Sequence, residues 1–208
     1  EDSGDAAYEL RPPIRASWKR RTKWVNRVGF YAALFESGNG TSVLTFRGTD
    51  DLWDGIVDDG AIALGGMPPQ ALAVLQVVGS CANKRSLSLA GHSLGGALAL
   101  IAAAHSGLSA VTFNAPGVLD SCMVSARPGK GLRAFLQTVA RCAINSRVRN
   151  VRIDGDPVSS FFTTGLQVGR GAEYAAPQCG WDPVCRHGIA TCVAAVRRDP
   201  ANFQEIKL

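Results

Sequence analysis

Ser86-Leu87-Ser88-Leu89-Ala90-Gly91-His92-Ser93-Leu94-Gly95-Gly96-Ala97-Leu98-Ala99-Leu100-Ile101-Ala102-Ala103-Ala104 is the stretch that decides the fold. Leu87 to Ala90 reads as a short buried strand that stops at Gly91, and an almost wholly apolar helix starts two or three residues later. Between them stands a G-x-S-x-G turn, Gly91 to Gly95. A serine on so sharp a strand-to-helix turn takes a strained backbone conformation, and side chains two residues to either side would collide, so both positions need glycine. The turn lifts the hydroxyl out of the sheet to the helix N-terminus, where N–H groups face any developing negative charge. The bare motif is a weak signal; between a strand and a helix apolar all round it is a strong one.

At 208 residues, 46% hydrophobic and 19% charged, the chain is long enough for one domain with a real core. The net charge of +5 admits an anionic partner but does not argue for nucleic acid. The longest apolar run, Leu94 to Ala104, falls well short of the ~20 residues that span a bilayer. No signal peptide is visible and the first residue is not Met, as expected of a processed product. Six cysteines lean toward an oxidising compartment and so toward a secreted or exported protein. Cys179 and Cys185, around a Gly-Trp-Asp-Pro turn, are the expected local bridge, while Cys81, Cys122, Cys142 and Cys192 are left open between further bridges and ordinary buried thiols. No zinc spacing occurs, and the acidic stretch from Asp50 to Asp59 matches no calcium loop.

The chain divides into a basic N-terminal arm, 1–28, and a main domain, 29–208. Arg11, Arg15, Lys19, Arg20, Arg21, Lys23 and Arg27 are interleaved with Trp18 and Trp24, with no acid among them. This reads as a basic helix that rests on an anionic membrane surface or, alternatively, as a solvated helix whose tryptophans cover the domain edge. Residues 29–36 and 41–46 are strand-forming, joined by a Ser-Gly-Asn-Gly hairpin turn. Further strands are expected at 110–113 and 149–153, and helices after Pro68-Pro69, at 132–143 and at 188–196; residues 160–186 read mostly as loop with short extended pieces. Strands alternating with helices imply a mainly parallel sheet covered on both faces.

A nucleophilic serine needs a base, and the base an orienting acid. Of three histidines, His92 lies inside the turn with its side chain pointing away, and His105 follows on the helix with no acid between it and Ser93. His187 remains as the base. Asp120, Asp154, Asp156, Glu173 and Asp182 qualify as the acid by order. Only Asp154 and Asp156 follow an apolar-alternating strand, and Asp156, beyond its end, is favoured over Asp154. The oxyanion donors are the N–H of Leu94 and one from the loop Arg47-Gly48-Thr49; losing one such donor typically costs ~2.7–4 kcal/mol of transition-state stabilisation.

Phe46-Arg47-Gly48-Thr49-Asp50, Gly91-His92-Ser93-Leu94-Gly95-Gly96, Thr112-Phe113-Asn114-Ala115-Pro116-Gly117, Gly155-Asp156-Pro157-Val158 and His187 together resemble the class 3 lipase family, over about residues 29–196. The resemblance implies an α/β-hydrolase fold and a serine esterase acting on glycerolipids, lipase or phospholipase A1 in type, without cofactor or metal. It makes Ser93 the nucleophile, Asp156 the acid and His187 the base, with Thr49 joining Leu94 in the oxyanion hole and residues 50–59 as a mobile lid. The chain departs from the family where its lid tryptophan falls on Gly55, where a His-x-Gly-Phe segment is missing, and where Asn114-Ala115-Pro116-Gly117 replaces a Gly-Ser-Pro-Arg type. That last feature is similar to bacterial relatives, including lipase toxins secreted against other cells. A soluble small-ester or feruloyl-type esterase and a non-catalytic lipid-binding relative are the competing readings; a complete triad argues against the second.

Overall fold

The strand before the elbow is the middle one of seven in a single sheet. The computed structural model describes residues 18–25, 30–48, 70–81, 86–118, 147–160 and 169–204. The expectations for Thr49, the stretch 50–59, Asp120, Cys122, Cys142 and a helix at 132–143 lie outside these residues. The strands are β1 (Trp18–Val25), β2 (Tyr31–Ser37), β3 (Ser42–Phe46), β4 (Leu87–His92), β5 (Ser109–Phe113), β6 (Val148–Ile153) and β7 (Arg170–Tyr174), ordered in space as in sequence. β1, β2 and β3 pair antiparallel, and β3 through β7 pair parallel. The helices are α1 (Ala71–Ser80), α2 (Leu94–Ser106), α3 (Pro157–Ser160), α4 (Pro183–His187), α5 (Ile189–Arg198) and α6 (Pro200–Gln204).

The faces of the sheet follow from alternation along β6. Val148 packs in a cluster with Leu44, Leu89 and the residues of α1 and α2, whereas Val151 and Ile153 pack with Ala172, Tyr174 and the α5 residues Cys192 and Ala195. Positions three apart on a strand face opposite ways, so α1 and α2 cover one face and α5 the other. Right-handed crossovers that move steadily along a sheet put their helices on one side, which is where α1 and α2 lie. From Gly95 to Ala104 every residue of α2 is buried. Its glycines and alanines let it lie deep between the sheet and α1. With the chain folded as a mostly parallel sheet flanked by helices on both faces, and a serine turn between β4 and α2, the architecture is an α/β-hydrolase fold.

Two local expectations are corrected. The basic stretch is not a helix where it is described: Trp18–Val25 forms an edge strand, with a bulge between Arg20 and Thr22. Its tryptophans, Thr22 and Val25 favour strand, β2 offers a free ladder, and charged side chains suit an edge open to water. Trp24 packs against the core, and Arg21 pairs with Glu36 at 2.6 Å. β4 does not stop at Gly91 but runs to His92, because Phe46 on one side and Thr112 and Phe113 on the other hold both residues in register. Within 160–186, one of the expected short extended pieces is β7, whose glycine and charged residues hide the alternation; of its residues Ala172 and Tyr174 turn inward.

The fold positions the serine through one close approach. A side chain on Gly91 would run into the carbonyl of Gly95, and one on Gly95 into the carbonyl of Phe46. The turn therefore closes only with hydrogen at both places. Gly95→Ala should lower stability by about 2 kcal/mol or more, within the range of core overpacking. An unchanged midpoint of urea unfolding would contradict this packing argument.

Candidate active site

Ser93 stands between β4 and α2 with φ +55° and ψ −129°, a conformation few residues other than glycine adopt. Its N–H bonds the carbonyl of Phe113 at 3.0 Å, and its carbonyl accepts from Ala97 N–H at 3.1 Å. The strained residue is thus held from both sides. Leu94 is the first residue of α2, so its N–H lies in the turn whose amides have no intrahelical partner. The loop after β3 passes directly beside the serine: a Cβ on Gly48 would sit 3.3 Å from the Cβ of Ser93. Thr49, the next residue, lies outside the described residues.

Asp156 and His187 are brought together from 31 positions apart. His187 Nδ1 is 2.7 Å from Asp156 Oδ1, with both side chains almost completely buried. The other carboxylate oxygen accepts from the N–H of Ser159 at 2.7 Å. Asp154, by contrast, is exposed. The pairing fixes the hydrogen of His187 on Nδ1, since a carboxylate only accepts. That leaves Nε2 bare, buried, and without a hydrogen-bond partner among the described residues. An imidazole with one nitrogen on a carboxylate and the other unoccupied is set up to take a proton.

The segment carrying His187 is built locally. Asp182 caps α4, accepting from Val184 N at 2.9 Å and Cys185 N at 3.3 Å, and Pro183 opens the helix. The expected disulfide joins Cys179 to Cys185 and closes this turn. Arg186 Nε donates to the carbonyl of Gly180 at 2.7 Å, and its Nη1 to that of Asp154, tying α4 to the loop that carries Asp156. Gly188 then breaks the helix with an extended backbone, and α5 begins. His187 therefore ends a short helix, where sequence placed it on a loop.

Two residues in the site had been read otherwise from sequence. His92 was set aside as pointing away; its ring lies 4.7 Å from that of His187, and its Nε2 donates to the carbonyl of His187 at 2.7 Å. Asn114 had figured only as a departure from a family motif; it is fully buried and bonds the same carbonyl at 3.0 Å. Its φ of +46° is one that asparagine tolerates. His105 is exposed near the far end of α2, about 16 Å along the helix from Leu94. Cys192 is buried, and burial followed by the charge of Asp156 pushes its thiol up to about 12, so it stays protonated and inert. Among the described residues no group of His, Cys, Asp or Glu could hold a metal ion, and no helix is long and apolar enough to cross a membrane.

The Tle-like phospholipase domain, a phospholipase-like family, matches residues 10–201. The chain belongs to the Tle-like phospholipase domain family. No curated protein shows significant similarity to it. Solved structures similar to this Tle-like domain include an esterase named rPPE, at 11% identity, a TM-score of 0.40, and coverage of 98% of this chain and 88% of that one. Others are an esterase of the hyperthermophilic archaeon Pyrobaculum calidifontis, at 12% identity, TM-score 0.38, and 92% and 85% coverage, and the esterase EstE5, at 12%, 0.39, and 91% and 85%.

Burial, then the neighbouring His187, lower the pKa of His92 from 6.5 to about 4, against weaker pulls from the His187 carbonyl and Asp156. The unfolded chain thus binds a proton that the native Tle-like domain refuses between those values. Stability from this group is complete above pH 6.5, is lost as pH falls to about 4, and changes little below. At about 1.36 kcal/mol per pKa unit the loss is on the order of 3 kcal/mol. His92→Gln should lose correspondingly less stability over that window. Urea unfolding of both proteins at the two ends of the window measures the difference, and identical losses would refute it.

Proposed function

We propose that this domain is a serine carboxylic ester hydrolase that cleaves acyl esters of glycerolipids, in the manner of a lipase or phospholipase A1, through Ser93, Asp156 and His187. The observation that carries the reading is the buried Asp156–His187 pair at 2.7 Å, at the same sheet edge as the strained Ser93, in a phospholipase-like family. The resemblance to class 3 lipases supports the same roles. His187 Nε2 takes the hydroxyl proton as Ser93 Oγ attacks the ester carbonyl, and Asp156 stabilises the imidazolium that forms. The tetrahedral oxyanion faces the N–H of Leu94 and, by that resemblance, Thr49. Collapse returns the proton to the departing alcohol and leaves an acyl-Ser93, which water hydrolyses by the same steps. No step requires a cofactor.

A lipid surface rather than a dissolved ester suits the exterior. Trp181 is 97% exposed and Val184 59% exposed, both on the disulfide-closed turn that leads into His187. Tryptophan side chains favour the headgroup level of a bilayer. On the β1 edge Lys19, Arg20 and Lys23 are exposed, a row that fits anionic headgroups at about 1 kcal/mol for each residue that reaches the surface. The Cys179–Cys185 bridge fits work outside a reducing cytosol, consistent with export.

The roles are tested by variants. Ser93→Ala should abolish covalent labelling by a fluorophosphonate while the fold persists; labelling of the folded variant would end the proposal. Asp156→Asn should cut kcat by about 10⁴, as loss of the tautomer-fixing acid does elsewhere, whereas Asp154→Asn should leave it within a few-fold. Equal effects of the two would remove Asp156 from the triad.

The surface is tested with phospholipid vesicles against a short-chain soluble ester. Trp181→Ala should lower hydrolysis of vesicle lipid and spare the soluble ester. Replacing Lys19, Arg20 and Lys23 by Gln should erase a preference for anionic vesicles, as added salt should. Turnover of the soluble ester alone, with vesicles untouched by any variant, would favour a small-ester esterase instead.

A further inference from the structure

We propose that His92 and Asn114 are positioning residues for the His187 base, and that they act by gripping its main-chain carbonyl; the proposal rests on the triad reading above. His187 ends α4, a helix of five residues. A helix that short has little stability of its own, and its last carbonyls lack intrahelical partners. Here two side chains supply them. The carbonyl of His187 accepts from His92 Nε2 at 2.7 Å and from Asn114 Nδ2 at 3.0 Å, and the same amide donates to the carbonyl of Arg186 at 2.9 Å.

Both donors come from the edge of the sheet that presents the nucleophile. His92 is the last residue of β4 and Asn114 follows β5 directly. Asn114 is itself locked: its N–H bonds the carbonyl of Val151 at 2.8 Å, and its Oδ1 accepts from the N–H of Ile153 at 2.9 Å. Asparagine suits the place because one amide both donates and accepts, and because φ of 46° is tolerable to it. The serine hangs from the same pair of strand ends. Ser93 follows His92, and its N–H bonds the carbonyl of Phe113, the residue before Asn114. Residues 92–93 and 113–114 thereby hold the backbones of both nucleophile and base.

The chemistry of His92 matches this duty. A carbonyl only accepts, so Nε2 of His92 carries the hydrogen and Nδ1 is bare. Nδ1 is buried without a partner among the described residues, so the ring has no carboxylate to hold a charge. With ring centroids 4.7 Å apart, a cationic His92 would oppose the imidazolium that His187 must become, and a neutral one does not. His187 is then fixed at its main chain by the clamp and at Nδ1 by Asp156. Only Nε2 is left for the serine proton.

The test follows the rate at which a fluorophosphonate labels Ser93, together with the fraction of protein labelled at completion. Wild type should label and Ser93→Ala and His187→Ala should not. If His187→Ala labels as fast as wild type, the triad reading fails and the clamp with it. If it is inert, the clamp is judged on its own variants. His92→Leu removes one donor, and Asn114→Asp keeps the acceptor for Ile153 while removing the other. Each should slow labelling by about 10- to 100-fold, the scale of a misplacement near 1 Å, with the labelled fraction still complete. His92→Gln, which keeps an N–H donor, should recover to within about threefold of wild type. A merely structural role predicts a smaller labelled fraction and an unchanged rate. That result, or a His92→Leu rate within threefold of wild type, overturns the proposal.

Discussion

The close approach at the elbow is the constraint on which the rest depends. The backbone of α2 meets both the end of β4 and the loop leaving β3 at distances that only glycine at 91 and 95 permits. That contact forces Ser93 into its positive φ, and it seats Gly48 against the serine side chain. The strain is of the kind that costs about 1–3 kcal/mol at a single residue. It is offset by a helix buried over ten consecutive positions, Gly95 to Ala104, and by strand pairing on both sides of Gly91. A rigid frame and a strained serine are therefore two aspects of one packing solution.

Around that frame the charges are few and each is matched. One carboxylate, Asp156, is buried with an imidazole on one oxygen and a backbone N–H on the other. The second imidazole nearby is kept neutral by burial, and the Cys192 thiol is kept protonated by burial and by that same carboxylate. In a medium of low effective dielectric an unmatched charge would be costly, and a second positive charge would oppose the one that proton transfer creates. Among the described residues the site thus holds several titratable groups, of which His187 has a carboxylate on one ring nitrogen and leaves the other bare.

Each end of the segment that carries His187 is fixed by a different kind of bond. A disulfide, an aspartate cap and two arginine contacts hold the start and outer side of α4, and two side-chain donors hold its last carbonyl. The same turn carries Trp181 into solvent. A loop stiff enough to locate a histidine is also one that can present an aromatic side chain at a defined height above the sheet edge.

By itself the sequence determined the α/β architecture, the serine turn and the local disulfide, because each rests on short-range signals: strand alternation, glycines at fixed offsets and cysteines six apart; the meeting of Asp156 with His187 joins residues 31 positions apart and belongs to the tertiary structure. Whether Trp18–Val25 is helix or strand turned on a free ladder along β2, a partner that no local pattern encodes. β7 likewise owes its conformation to β6, with only Ala172 and Tyr174 facing inward to mark it. His92 and Asn114 were hidden for the same reason: their contacts run to residues 95 and 73 positions away, and a side chain's direction at the end of a strand is set by what the sheet brings opposite it. Short-range signals set the turn and the bridge, and only tertiary packing decided which side chains meet around them.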